Sequence, residues 1–336
     1  MIFIVFLRAL AACLITNSHY TGVYPIEFLA NGGLIGDVLF FAVSGFCLFD
    51  VKKTFFGWYG KRLKRIYPPV IIITIVYLLI GCYTVGEQYN LMYWLVYPTA
   101  YHFVSSILLL YLVFYWVGKY DLFRKRIPLL MVITAGIYFA IYLLFYDKTY
   151  YHIDTVREPM ILFLYFESML LGAWFKQSKE MFCNKFKWRY VIEVTVLLIL
   201  YCVAKVLFSK NQTYSYFQCV NQLIIFALLY CVFRLFYSLD EKLEHLPLWI
   251  KNVVAFLAKI TLEIYVVQNV IISALKPYFV FPFNWIIITA SIIFAAFVLH
   301  FACALLLKGS EYLVNLCKAK WTRKGDKQNE TSSHGL

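Results

Sequence analysis

Long apolar stretches alternate with short polar and basic segments along almost the whole chain. Ten of the stretches are long enough to span a bilayer as helices, near residues 2–18, 33–50, 68–86, 102–118, 128–146, 160–175, 190–208, 217–237, 252–274 and 284–307. The run QYNLMYWLVYPTAY, residues 88–101, fits either an interfacial segment or an extension of the fourth helix. The pattern predicts an all-α integral membrane protein, about ten transmembrane helices in one bundle over residues 1–310. A polar cytoplasmic tail, 311–336, follows, and its end is expected to be disordered. The first segment has neither a charged leader nor a small-residue cleavage site, so it is expected to remain as a helix.

Composition strengthens this picture. Of the 336 residues 62% are hydrophobic and only 15% charged, and the mean hydropathy is +0.73. A soluble chain of this length needs more charge to cover its surface. The net charge of +13 could suggest nucleic acid, but its placement points elsewhere. The segments 51–67, 118–127, 176–189, 234–251 and 308–336 carry 24 of the 31 Lys and Arg residues. The alternate loops carry four: Lys148, Arg157, Lys210 and Lys276. That asymmetry predicts cytoplasmic termini and basic loops, so the charge reads as topology and not as a nucleic-acid footprint. Nine cysteines are scattered without a CxxC pair or a Cys/His ligand spacing, which supports neither a disulfide framework nor a metal site.

Polar residues inside apolar stretches carry the chemistry. Arg8 and His19 share the first segment, eleven residues apart. At 100° per residue they lie on one helix face, roughly 16 Å apart along the axis. An intramembrane arginine is costly and is kept for a partner or a task, while histidine exchanges a proton near neutral pH. The second segment, GGLIGDVLFFAVSGFCLF, opens on glycines and is interrupted by Ser44 and Gly45. Small residues there permit close helix packing or close approach to a ligand. Asp37, at the edge of that segment, is expected to face water or to neutralise Arg8 on the neighbouring helix. In FFGWYGKRLKRIYPP, Arg62 and Arg65 stand three residues apart and project together on a helix. Two guanidinium groups on one face suit phosphates, with topology signalling or lipid headgroups as the plainer reading. Pro68 and Pro69 mark the entry to the next span. Glu167 is an intramembrane carboxylate, and Glu263, four residues after Lys259, is placed for an intrahelical ion pair. His102 is expected at the outer entrance, whereas His152, His245 and His300 read as structural.

The run LRALA…H, then GDVLFFAVSGF, then KRLKRIYPP resembles the acyltransferase-3 family of multi-pass membrane enzymes. The resemblance rests on the Arg-x10-His pair, the Ser-Gly-Phe signature and the Arg-x-x-Arg loop, in that order within residues 7–69. It implies transfer of an acyl group, most commonly acetyl, from cytoplasmic acyl-coenzyme A to surface carbohydrates or lipid-linked glycans. His19 matches the family's essential histidine and Arg8 its arginine partner. Arg62 and Arg65 match the cytoplasmic pair that meets the donor. The late segment KITLEIYVVQNVI departs from the family's usual Tyr-Leu-x-His, with Gln268 in the histidine position, so His19 is the better base. Ser44, Asp37, Glu167 and Glu263 are the further polar residues expected to line the site. Acyl-coenzyme A is expected as a donor substrate, with no permanently bound cofactor or metal. Membrane lipids and enzymes of glycan biosynthesis are the expected neighbours. A transporter or flippase for a glycan lipid is the alternative, although the internal repeats and paired broken spans that mark such proteins are not evident.

Overall fold

We describe the protein from a computed structural model. It describes all residues except 87–88, 97, 99–100, 151–154, 183–184 and 334–336, and only the backbone of 212, 215 and 310–333. Nine of the predicted apolar stretches each fall mainly on one helix and the stretch at 252–274 on two, and there is no strand among the described residues. In chain order the helices are α1 Phe3–Ser18, α2 Gly33–Leu48, α3 Phe55–Leu79, α4 His102–Lys119, α5 Ile127–Leu144 and α6 Ile161–Gln177, then α7 Trp188–Lys210, α8 Gln218–Ser238, α9 Leu248–Lys259, α10 Thr261–Leu275 and α11 Phe283–Ser333. Helices close their backbone hydrogen bonds within one segment, the condition hydrocarbon imposes. Among the described residues six helical spans are long and apolar enough to cross a bilayer, α2 being counted together with the turn before it as Glu27–Leu48. A seventh is counted if α9 and α10, bent by 71° at their junction, form one span. α1 is apolar but shorter, at 16 residues.

Two boundaries differ from expectation. α3 starts at Phe55 and runs through Pro68 and Pro69, instead of beginning there. Each proline lacks the N–H that would bond the carbonyl four residues back, at Lys64 and Arg65, and this loss falls in the charged part of the helix. His152 lies outside the described residues. α11 continues to Ser333, past the point where the sequence turns polar. No proline interrupts it, and Gly309 and Gly325 each cost a helix only about 1 kcal/mol.

α2 sits at the centre, packed on α1 and α6. A Cβ on Gly45 would overlap the Met169 carbonyl, and one on Gly172 the Ala42 carbonyl, so the two glycines let the α2 and α6 backbones touch. A Cβ on Gly36 would lie 2.8 Å from the Ala11 carbonyl of α1. The small residues of the second segment therefore serve packing first. α5, α7 and α11 form the periphery; only 11% of the α7 span is buried, against 67% of α4, and α7 turns Ile192, Val196, Ile199 and Val203 outward.

The loops segregate by end. Asp50 after α2 pairs with Lys176 at the end of α6 (2.7 Å) and with Arg124 after α4 (3.4 Å). The Phe3 amide donates to Asp240 after α8. All these are basic-loop segments. At the opposite end Lys205 of α7 donates to Asn31 (2.7 Å), and Asn284 of α11 donates to the Val23 carbonyl (2.9 Å). The charge asymmetry of the sequence is thus an asymmetry between two faces of one molecule. We call the basic face inner and the other outer.

Candidate active site

α1 carries one stripe that runs from face to face. Arg8, Ala12, Ile15 and His19 follow at helical spacing, and each lines a different depth of the interior. Arg8 opens on an inner cavity of about 560 Å³. His19 opens on an outer cavity of about 820 Å³. Between them is a neck with room for about one water, 10 Å³, lined by Ala12, Ile15, Phe40, Phe103, Leu262 and Gln268 among others. Phe103 forms part of the wall of all three spaces. The shared face read from the Arg8–His19 spacing is therefore part of the wall of both cavities and of the small void between them.

The inner cavity is cationic. Arg8, Lys61, Arg62, Arg65 and Lys259 border it, with Ser44 on the α2 side. The Arg8 guanidinium reaches Cys47 Sγ at 3.6 Å. Arg62 lies over the Trp58 indole, 4.2 Å from its centroid, and donates to the Trp58 carbonyl at 3.0 Å. Stacking holds the guanidinium plane and leaves part of its donor fork for a ligand. Arg65 is held differently: it pairs with Glu263 at 3.1 Å and donates to the Lys259 carbonyl at 2.7 Å. Glu263 is fully buried and also receives His300 Nδ1 of α11 at 2.8 Å. The expected intrahelical Lys259–Glu263 pair is replaced, because the bend between α9 and α10 puts the two residues on separate helices. Glu263 instead ties α3, α10 and α11 together under Arg65.

The outer cavity has mixed charge. His19, Asp37, His102, Arg157, Glu158 and Lys205 border it. His19 stands one residue past α1, and Asn17 fixes the loop beyond by donating to the carbonyls of Leu29 and Asn31 at 2.7 and 2.9 Å. Among the described residues nothing hydrogen-bonds the imidazole, and His19 lines the cavity. Neighbouring protein atoms hold the His19 pKa below its ordinary value of 6.5, because they partly desolvate the charged ring even though the residue stays open to the cavity. The neutral imidazole is the form that accepts a proton.

Asp37 does not neutralise Arg8. α1 and α2 are antiparallel and Gly36 packs against Ala11 and Ile15, so Asp37 stands near the outer end of α1 and Arg8 near the inner end. Asp37 accepts from Tyr165 at 3.1 Å, and Tyr165 stacks on Phe41. Glu167 belongs to neither cavity: it accepts from Thr134 and lines a separate space of about 80 Å³ between α5, α6 and α8. His102 reaches the outer entrance as expected, 3.6 Å from Glu158. Sequence reasoning missed the Phe40 and Phe103 wall and the His300–Glu263 contact. Aromatic residues are too common here for their spacing to select two, and His300 meets Glu263 only through tertiary packing.

No curated protein and no solved structure matches the chain. The model of the acyltransferase domain family matches residues 1–308. Over almost its whole length, therefore, the chain belongs to the acyltransferase-3 family, whose members are membrane acyltransferases.

Proposed function

We propose that the protein is a membrane O-acyltransferase that moves an acyl group, acetyl by resemblance to the family, from cytoplasmic acyl-coenzyme A to a hydroxyl of an extracytoplasmic or lipid-linked glycan. The observation that carries this reading is the pair of back-to-back cavities, cationic on one side and holding a free imidazole on the other, divided by a neck at Phe103. The inner cavity opens at the face with most of the Lys and Arg residues, which the positive-inside rule assigns to the cytoplasm. Donor phosphates suit Arg62 and Arg65, with Arg8 deeper toward the thioester. The acceptor hydroxyl enters the outer cavity beside His19. Its oxygen attacks the thioester carbonyl carbon, the new C–O bond forms, and the C–S bond breaks. His19 takes the hydroxyl proton and returns one to the departing thiolate, so coenzyme A leaves as the thiol.

Purified protein in nanodiscs, given labelled acetyl-coenzyme A and a polysaccharide or lipid-linked acceptor, should release free coenzyme A and place label on the glycan as an ester. Label that stays on the donor with every glycan class, together with glycan-lipid scrambling in the absence of donor, would favour the flippase reading. Orientation has its own check. In a background without native cysteines, Gly57→Cys should be labelled only after the membrane is opened. Labelling from outside intact cells would invert the assignment of faces and remove the donor from the cationic cavity.

A further inference from the structure

Gln268 stands on α10 at the neck between the two cavities. Its side chain is fully buried, yet neither the amide nitrogen nor the amide oxygen has a hydrogen-bond partner among the described residues. Buried amides are paired as a rule, and an unpaired one at this depth of a membrane protein is costly. The polar neighbours in the neck do not serve it. Thr261 is committed to the carbonyls of Leu257 and Ala258, the Tyr265 hydroxyl accepts from the Phe103 amide, and Thr16, the remaining polar residue of the neck, makes no hydrogen bond to Gln268. Ala12, Ile15, Phe40, Phe103 and Leu262 have no side-chain group to offer.

The place of Gln268 between the cavities is as informative as its lack of a partner. On α10, Thr261 and Leu262 border the inner cavity and Tyr265 the outer one, with Gln268 one turn beyond Tyr265. Across the neck Ile15 borders both neck and outer cavity, and His19 is one turn further along α1. A chain reaching through the neck from the cationic side therefore presents its end to Gln268 within about one helical turn of the imidazole.

We infer that Gln268 binds the acyl group itself, its amide N–H donating to the carbonyl oxygen of the thioester as the neck, which holds about one water in this structure, widens to admit the donor arm. The inference rests on the acyl-transfer reading and deepens it. A thioester carbonyl accepts hydrogen bonds and donates none, so it takes the amide nitrogen of Gln268. Negative charge grows on that oxygen as the acceptor hydroxyl attacks, and a fixed donor in a space closed to water gains strength at that moment.

The test compares two coenzyme A analogues on protein in nanodiscs. One is a methyl ketone in which a methylene replaces the thioester sulfur; it keeps the carbonyl and cannot transfer. The other is S-ethyl-coenzyme A, which has no carbonyl. Wild type should prefer the ketone by about tenfold, the worth of one net hydrogen bond. Gln268→Met, close in shape and apolar, should erase that preference while S-ethyl-coenzyme A binds as before, and should slow transfer by about 10²-fold. Gln268→Leu replaces it if the methionine variant does not reach the membrane. A preference kept in either variant overturns the inference, as does a wild type that does not distinguish the analogues. A wild type that binds neither analogue overturns the acyl-transfer reading itself.

Discussion

The two cavities differ in how their charges are held. In the inner one, each arginine is fastened by protein: Arg62 by the Trp58 ring and carbonyl, Arg65 by Glu263 and the Lys259 carbonyl, Arg8 by Cys47. In the outer one the central imidazole has no fixed partner among the described residues, and charges of both signs surround it. A preorganised field of one sign suits a ligand whose charge never changes, such as a phosphate chain. An unfastened, neutral imidazole suits a proton that must move. On the proposed reading one face grips and the other reacts, so mutations on the two sides should separate binding from rate.

The largest effect is expected at His19. His19→Ala should lower the transfer rate by about 10²–10⁴-fold, the usual cost of a lost general base, with donor affinity unchanged. Equilibrium binding of the ketone analogue beside single-turnover transfer would measure both. A variant that transfers normally would make His19 a rim residue. A variant that loses donor binding would break the division between gripping and reacting sides.

Next come the arginines. Arg62→Ala and Arg65→Ala should each weaken donor binding by roughly 10- to 100-fold, as charged hydrogen bonds do, and leave the rate at saturating donor within a few-fold. Arg62→Lys should rescue poorly, because lysine keeps the charge but loses both the planar fork and the stack on Trp58. Full rescue by lysine at both positions would reduce the grip to plain electrostatics.

How far this division could be read from the chain depends on distance in sequence. The Arg8–His19 stripe was legible because one helix sets it, and 3.6 residues per turn needs no tertiary knowledge. The Arg62 and Arg65 cluster was legible for the same reason. The Lys259–Glu263 reading failed because it assumed one straight helix, and the 71° bend moved Glu263 to a partner 198 residues away. Asp37 failed as a partner for Arg8 because helix adjacency does not give axial level; the Gly36 contact with Ala11 does. Gln268 stood out in the sequence as a departure from a pattern, but its meaning came only with the neck around it. The positions of the apolar stretches were legible, whereas among the described residues six helical spans are long and apolar enough to cross unaided: α1 and α6 are shorter, the first half of α3 is charged, and α9 and α10 are bent apart.

The pH dependence distinguishes the two sides more finely. Partial desolvation lowers the His19 pKa from 6.5, so the ring stays neutral at pH 7 and gains its proton only in more acid solution. The transfer rate should therefore hold on descending to pH 6.5 and then fall, approaching tenfold per pH unit below the shifted pKa. Donor affinity, resting on the guanidinium groups of the inner cavity, should not follow that limb. An acid limb centred above 6.5 would mean that a carboxylate, Asp37 being the one at hand, governs the ring in the complex.

The smallest and most diagnostic effect is expected at Glu263. Its carboxylate has two opposed influences on an anionic donor. As a charge it partly cancels Arg65 and weakens the positive field of the cavity. As a structural group it holds the Arg65 guanidinium in place and ties it through His300 to α11. Glu263→Gln removes the charge but keeps the shape, one acceptor for Arg65 and a polar end toward His300. If charge dominates, the variant binds donor more tightly than wild type. If placement dominates, it binds more weakly despite the stronger field. Arg65 is half exposed and its long chain has much freedom to lose, whereas Glu263 is fully buried and cannot move with it. Placement should therefore win, with donor affinity falling by roughly two- to tenfold, the range of one ordinary net hydrogen bond, and with the acid limb set by His19 unmoved. Tighter donor binding in Glu263→Gln would show that the inner cavity grips by charge alone, and the contrast with the outer cavity would then lie in sign and not in preorganisation.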